Sequence, residues 1–113
     1  MRDFTAYLED ILKECIYLSE RFENLSFAEF ISNEDLKRAA VRSLEVIGEA
    51  SKKIPEEVKE RYPSVPWREM ARMRDKLIHG YFSVDYLVVY RTVLEEISPL
   101  KEEIEKILRE LLP

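Results

Sequence analysis

The chain has 113 residues, enough for one domain with a modest core and too short for two. Charged residues make up 36% of it and the formal net charge is −5, so global charge does not advertise nucleic-acid binding; any such site must be a local basic patch. A single cysteine, Cys15, and a single histidine, His79, exclude an internal disulfide and a conventional zinc site within one chain.

Two glycines, no glutamine and a high content of Glu, Lys and Arg favour helix over sheet and would suit a thermophile. Met1-Arg2-Asp3-Phe4 leads straight into a helical pattern without a signal-peptide signature, and no apolar run is long enough to span a bilayer. The expectation is a cytoplasmic protein in a reducing compartment, without membrane association.

Phe4, Leu8, Ile11, Cys15, Leu18 and Phe22 recur every three or four residues and define a first amphipathic helix. Cys15 falls on that stripe and reads as a small buried hydrophobe. Asn24-Leu25-Ser26 ends the helix, and Ser26-Phe27 opens a short connection with one turn of helix. Ser32 is the expected N-cap of a second helix, with Asn33, Glu34 and Asp35 in its first turn, Leu36, Ala40, Leu44 and Ile47 on its buried face, and Lys52 and Lys53 at its end. Pro55 starts a short helix reaching about Tyr62.

After the Tyr62-Pro63-Ser64-Val65-Pro66 loop, a helix runs from Trp67 to His79, with Gly80 as its expected C-cap. Ser83 is the expected cap of a helix from Val84 to Ile97, and Ser98-Pro99 is expected to break the chain before a last helix with the stripe Leu100, Ile104, Ile107 and Leu111. The fold class is thus all-α, an antiparallel up-and-down bundle of four to five main helices in a single domain covering residues 1–113. Leu87, Val88, Val89, Tyr90, Val93, Leu94 and Ile97 cover more than one helix face, which fits either a homodimer contact or a central core helix.

The chemistry concentrates in the segment from Trp67 to Tyr81. On a helix, Trp67, Met70, Ala71, Leu77 and Ile78 form one apolar stripe with Arg74 at its centre. Arginine is rarely buried unless its charge is paired, so Arg74 needs an acidic partner, for which Glu49 is a candidate, or a visiting anion. Arg68, Arg72, Asp75 and His79 share a neighbouring polar face. Asp75 and His79 are four apart, close enough for the acid to orient the imidazole. Arg74 and His79 are five apart and point roughly 140° from each other on an ideal helix. Convergence therefore needs the reach of the arginine, loosening near Gly80, or a partner chain.

The stretch Arg74-Asp75-Lys76-Leu77-Ile78-His79, followed by Tyr81, resembles the Arg-x4-His-x-Tyr signature of the HepT-like toxins of the HEPN superfamily. Gly48-Glu49-Ala50, Trp67, Tyr81-Phe82 and Val84-Asp85 resemble flanking features of that family, and the likeness covers about residues 3–100. Gly80 stands where the family carries an acidic or asparagine residue, and so loosens the backbone between His79 and Tyr81. The resemblance implies a helical bundle that dimerises so that two motifs face one cleft. It also implies metal-independent endoribonuclease activity, with RNA as substrate and Arg74 and His79 as catalytic residues. The partner it implies is a small nucleotidyltransferase (MNT-type) antitoxin that attaches AMP to the motif tyrosine, here Tyr81.

The residue chemistry is compatible with a cut that uses neither metal nor cofactor. RNA supplies its own 2′-OH nucleophile, His79 can act as base or acid near neutral pH, and Arg74, with Arg72, can steady the phosphorane. Asp75 and Tyr81 have supporting roles, Tyr81 by stacking or hydrogen bonding; it could equally be a packing aromatic. A non-catalytic HEPN module that binds nucleotide or RNA beside a nucleotidyltransferase is the alternative. Glu45, Glu49, Glu56, Glu57 and Glu60 lack the Glu-x-x-His motifs of a di-iron bundle and read as solvated surface.

Overall fold

The Asp3 side chain accepts from the Thr5 N–H and starts helix α1 (Phe4–Arg21), whose Leu8, Ile11, Cys15 and Leu18 are fully buried. The computed structural model describes residues 3–79 and 84–111, apart from the side chains of Ile78 and His79. Among these residues there are six helices and no strand, an all-α bundle as expected. Burial pushes the Cys15 thiol up to about 12, with Glu14 adding to the shift and Lys101 opposing it, so Cys15 behaves as a core hydrophobe.

Asn24 takes a left-handed φ of 57°, a conformation that asparagine tolerates, and turns the chain. Helix α2 (Phe27–Ile31) follows, closed by a reciprocal capping box between Ser26 and Glu29. Helix α3 (Glu34–Lys53) is capped by Asn33, whose side chain accepts from the Leu36 N–H, and not by Ser32. Ser32 instead ends α2, where its hydroxyl bonds the Ala28 carbonyl. Two adjacent residues could both cap, and the one whose oxygen reaches the third N–H of the new helix takes the role.

Helix α4 (Glu56–Arg61) is the short element after Pro55. The loop beyond it is pinned at several points. Trp67 Nε1 donates to the Tyr62 carbonyl at 3.1 Å, the Tyr62 hydroxyl donates to Glu110 at 2.8 Å, and Ser64 donates to Glu103 at 2.9 Å. These bonds, with Val65 and Trp67 buried, fix the start of helix α5 (Trp67–His79).

Helix α6 (Tyr86–Leu111) corrects two expectations. It begins at Tyr86, with Asp85 accepting from the N–H groups of Leu87 and Val88; Ser83, the expected cap, and Gly80, the expected C-cap of α5, lie outside the described residues. It also runs unbroken through Ser98 and Pro99. An interior proline forfeits one hydrogen bond and crowds the preceding turn, at a cost of about 3 kcal/mol. The buried stripe Val89, Val93, Ile97, Leu100, Ile104 and Ile107 keeps its phase across Pro99. Burying each such side chain contributes about 1.5–3 kcal/mol, so a continuous helix that keeps all six on the core wins.

α3 packs between α1 and α5, while α6 packs mainly on α1. The N-terminal half of α6 is tied to the α1–α2 turn by a Tyr90 hydroxyl bond to the Leu25 carbonyl at 2.6 Å and by rings of Phe22, Phe27 and Phe30 around Tyr90. α5 is therefore seated on α3 and leaves a cleft of about 260 Å³ toward α6, floored by Leu44, Ile47, Ile97 and Leu100. No helix of the described residues is long and apolar enough to cross a membrane.

Candidate active site

The seat of α5 on α3 is set by small residues. Gly48 and Ser51 are both buried on the α3 face, and the Ser51 hydroxyl turns inward to the Ile47 carbonyl. A Cβ on Gly48 would lie 2.1 Å from the Arg74 Cβ and 2.7 Å from the Met70 carbonyl oxygen. The two backbones thus approach as closely as glycine permits, and the point of closest approach is the base of the Arg74 side chain. This explains how an arginine occupies the centre of an apolar stripe. Its stem packs over Gly48, flanked along α5 by Met70 and the buried Trp67 and Leu77, while its head reaches the rim, 26% exposed.

The guanidinium meets two carboxylates there. Nη2 pairs with Glu49 Oε2 at 3.1 Å, and Nη1 donates to Asp75 Oδ1 at 3.1 Å. The same Asp75 oxygen accepts from Lys52 Nζ at 2.7 Å. The bonds from Lys52 first, and from Arg74 second, hold the Asp75 carboxyl below the usual carboxylate range. Of the acids read as solvated surface, Glu49 and Glu45 are half-buried, Glu49 on Arg74 and Glu45 beside Arg42; Glu56, Glu57 and Glu60 are exposed as expected. Among the described residues, no three His, Cys, Asp or Glu side chains cluster to hold a metal ion.

The residues of the motif are distributed unevenly. Arg74 and Asp75 are together, with Glu49 as the anticipated acidic partner. Arg72, two residues from Arg74, leaves α5 on nearly the opposite side and is exposed, as is Arg68. The Asp75 carboxylate, read as a partner for His79, is bonded to Lys52 and Arg74. His79 ends α5, one turn beyond Asp75, and its side chain and all of Tyr81 lie outside the described residues. Sequence reasoning missed Gly48 as the contact that seats Arg74, and Lys52 as the cation tethering Asp75. A glycine inside a helix costs about 1 kcal/mol against alanine and usually marks a close approach, a signal in the sequence that went unused.

Residues 11–107 match the family described as ribonuclease HepT-like. The chain belongs to this family. Ribonuclease activity is accordingly the activity of the family to which this HepT-like chain belongs. Its relatives include a protein of Caldanaerobacter subterraneus subsp. tengcongensis provisionally named as an RNase, 50% identical over 96% of this chain and 97% of its own. A second protein provisionally named as an RNase, from Methanocaldococcus jannaschii, is 50% identical over 97% of this chain and 91% of its own. A protein of Thermococcus cleftensis provisionally named ribonuclease HepT is 47% identical over 94% and 96%. No solved structure matches.

In this HepT-like chain the Gly48 contact makes a specific demand. Gly48→Ala places a methyl group where the Met70 carbonyl and the Arg74 stem already are, so α5 must lift from α3. The expected loss is about 1–3 kcal/mol of unfolding free energy, in the range of overpacked cores, read by urea denaturation. A stability equal to wild type would show that α5 is not seated as described.

Proposed function

We propose that the chain is a metal-independent endoribonuclease and the toxin of a HEPN/MNT toxin–antitoxin pair. The 2′-OH of RNA attacks the adjacent phosphorus, its proton passes to one imidazole, and the P–O5′ bond breaks as a second imidazole protonates the leaving oxygen. The products are a 2′,3′-cyclic phosphate and a 5′-OH. Arg74 donates to the phosphorane oxygens as their charge grows. The chain contains one histidine, so the two imidazoles are His79 from each of two protomers. Tyr81 is the residue that a nucleotidyltransferase antitoxin would modify with AMP, as the family resemblance implies.

The observation that carries this reading is a guanidinium anchored on an apolar helix face, with its head at the rim, inside the signature of a ribonuclease family. Packing alone calls for Leu or Met at that position. One observation favours the second reading, a non-catalytic module that binds RNA or nucleotide: the guanidinium is already paired with Glu49 and Asp75. Both carboxylates are close to half-exposed, at 46% and 44%, and such pairs are weak enough for a phosphate to exchange with them.

The homodimer is assigned to α6. Leu87, Val88 and Leu94 are large apolar side chains left 40%, 39% and 51% exposed, and Leu87 and Leu94, seven apart, share one helix face. These are the residues that make the helix apolar on a second side, and a second copy would cover them.

Incubating the purified protein with RNA and analysing the fragment ends tests the activity. Expected are 2′,3′-cyclic phosphate and 5′-OH ends, unaffected by EDTA, with losses of about 10²–10⁴-fold in His79→Ala and Arg74→Ala. RNA binding without cleavage would favour the second reading, and equal cleavage by both variants would remove these residues from the chemistry. For the dimer, sedimentation velocity is expected to show a two-chain species that Leu94→Glu converts to one chain. A wild-type monomer at micromolar concentration would contradict the shared cleft.

A further inference from the structure

We infer that Glu49 is a positioning residue that aims the Arg74 guanidinium at the scissile phosphate. The inference rests on the proposal that Arg74 acts on that phosphate, and adds a residue from a different helix to the site.

Arg74 is constrained at both ends. Its Cβ lies over Gly48, where no side chain could stand, and its Nη atoms meet Glu49 from α3 and Asp75 from α5, each at 3.1 Å. Asp75 is itself held by Lys52 of α3 at 2.7 Å. A guanidinium has five N–H donors in a rigid fork. Two carboxylate contacts orient the fork and leave the remaining donors for an incoming phosphate.

Stability does not account for the arrangement. Ion pairs as exposed as these contribute little to folding, and two features next to them act against stability: a glycine inside α3 and a charged side chain on the apolar stripe of α5. Both concessions serve the placement of one guanidinium. Local rules are broken in this way where a site must be built. An arginine fixed before substrate arrives does not lose its rotamer freedom on binding, and its donors are in place when charge develops.

Glu49 is adjacent to Gly48, so the residue that lets α5 approach and the residue that grips the guanidinium are consecutive on α3. Glu49 also borders a groove between α1 and α3 that Tyr7, Asp10, Arg42 and Lys53 line.

The test measures steady-state cleavage of a fluorogenic RNA oligonucleotide by the full chain carrying Glu49→Ala, Glu49→Gln, Arg74→Lys, Arg74→Ala, or Glu49→Ala with Arg74→Lys, alongside thermal midpoints. Glu49→Ala is expected to lower kcat about 10- to 100-fold, the cost of a misplaced reacting group, with KM little changed and the midpoint retained. Glu49→Gln, which keeps an acceptor oxygen, should recover part of the loss. In the Arg74→Lys background Glu49→Ala should add little, because a lysine has no fork to orient. Tighter RNA binding with undiminished kcat in Glu49→Ala would make Glu49 a competitor of phosphate and overturn the inference, as would fully multiplicative losses in the double variant or losses that track unfolding. If Arg74→Ala is inactive while Glu49→Ala matches wild type, this inference alone fails. If Arg74→Ala cleaves like wild type, or the wild type does not cleave, the ribonuclease role of Arg74 fails and the inference falls with it.

Discussion

The close approach of α3 and α5 at Gly48 is the constraint on which the rest of the site depends. A hydrogen in place of a methyl group lets the Met70 carbonyl and the Arg74 stem settle against α3. From that contact follow the seat of α5, the exit of the Arg74 head at the rim, and the reach of Glu49 and Lys52 to the charges of the motif. The remainder of the fold holds this pair of helices in place. α1 packs against the other side of α3, and the loop before α5 is bonded to the end of α6.

The electrostatics are local. In a chain of net charge −5, six of the 18 lysines and arginines lie where α3 ends and along α5, at Lys52, Lys53, Arg68, Arg72, Arg74 and Lys76. Carboxylates are interleaved with them, and the bonds from Lys52 and Arg74 hold the Asp75 carboxyl below the usual carboxylate range. Such a site is not a broad electrostatic track for nucleic acid. It holds one guanidinium between two carboxylates, the arrangement on which the proposed role of Arg74 rests.

Much of the fold was legible because apolar periodicity reports burial directly. The stripes of α1 and α3 predicted the core, and the bounds of α5 at Trp67 and His79 agree with the structure. The misses are places where two local signals competed. Ser32 and Asn33 are both good caps, and only geometry chooses between them. Pro99 reads as a breaker until the in-phase stripe on either side is weighed against it. Arg74 was legible as an anomaly, with Glu49 as a candidate partner. The role of Gly48 and the bond from Lys52 to Asp75 depend on which helices lie together, and no spacing within one helix encodes that. The resemblance to the HepT-like family is borne out by the match over residues 11–107.

The central claim is that the Arg74 guanidinium, seated over Gly48, faces the RNA linkage. The most direct measurement is arginine side-chain NMR of the protein titrated with an RNA oligonucleotide whose scissile 2′-OH is replaced by hydrogen. The account predicts that the Arg74 Nε–H and Nη–H signals shift and slow their exchange with water as the oligonucleotide binds, ahead of those of the outward-facing Arg68 and Arg72. Binding that leaves the Arg74 signals unmoved would contradict it.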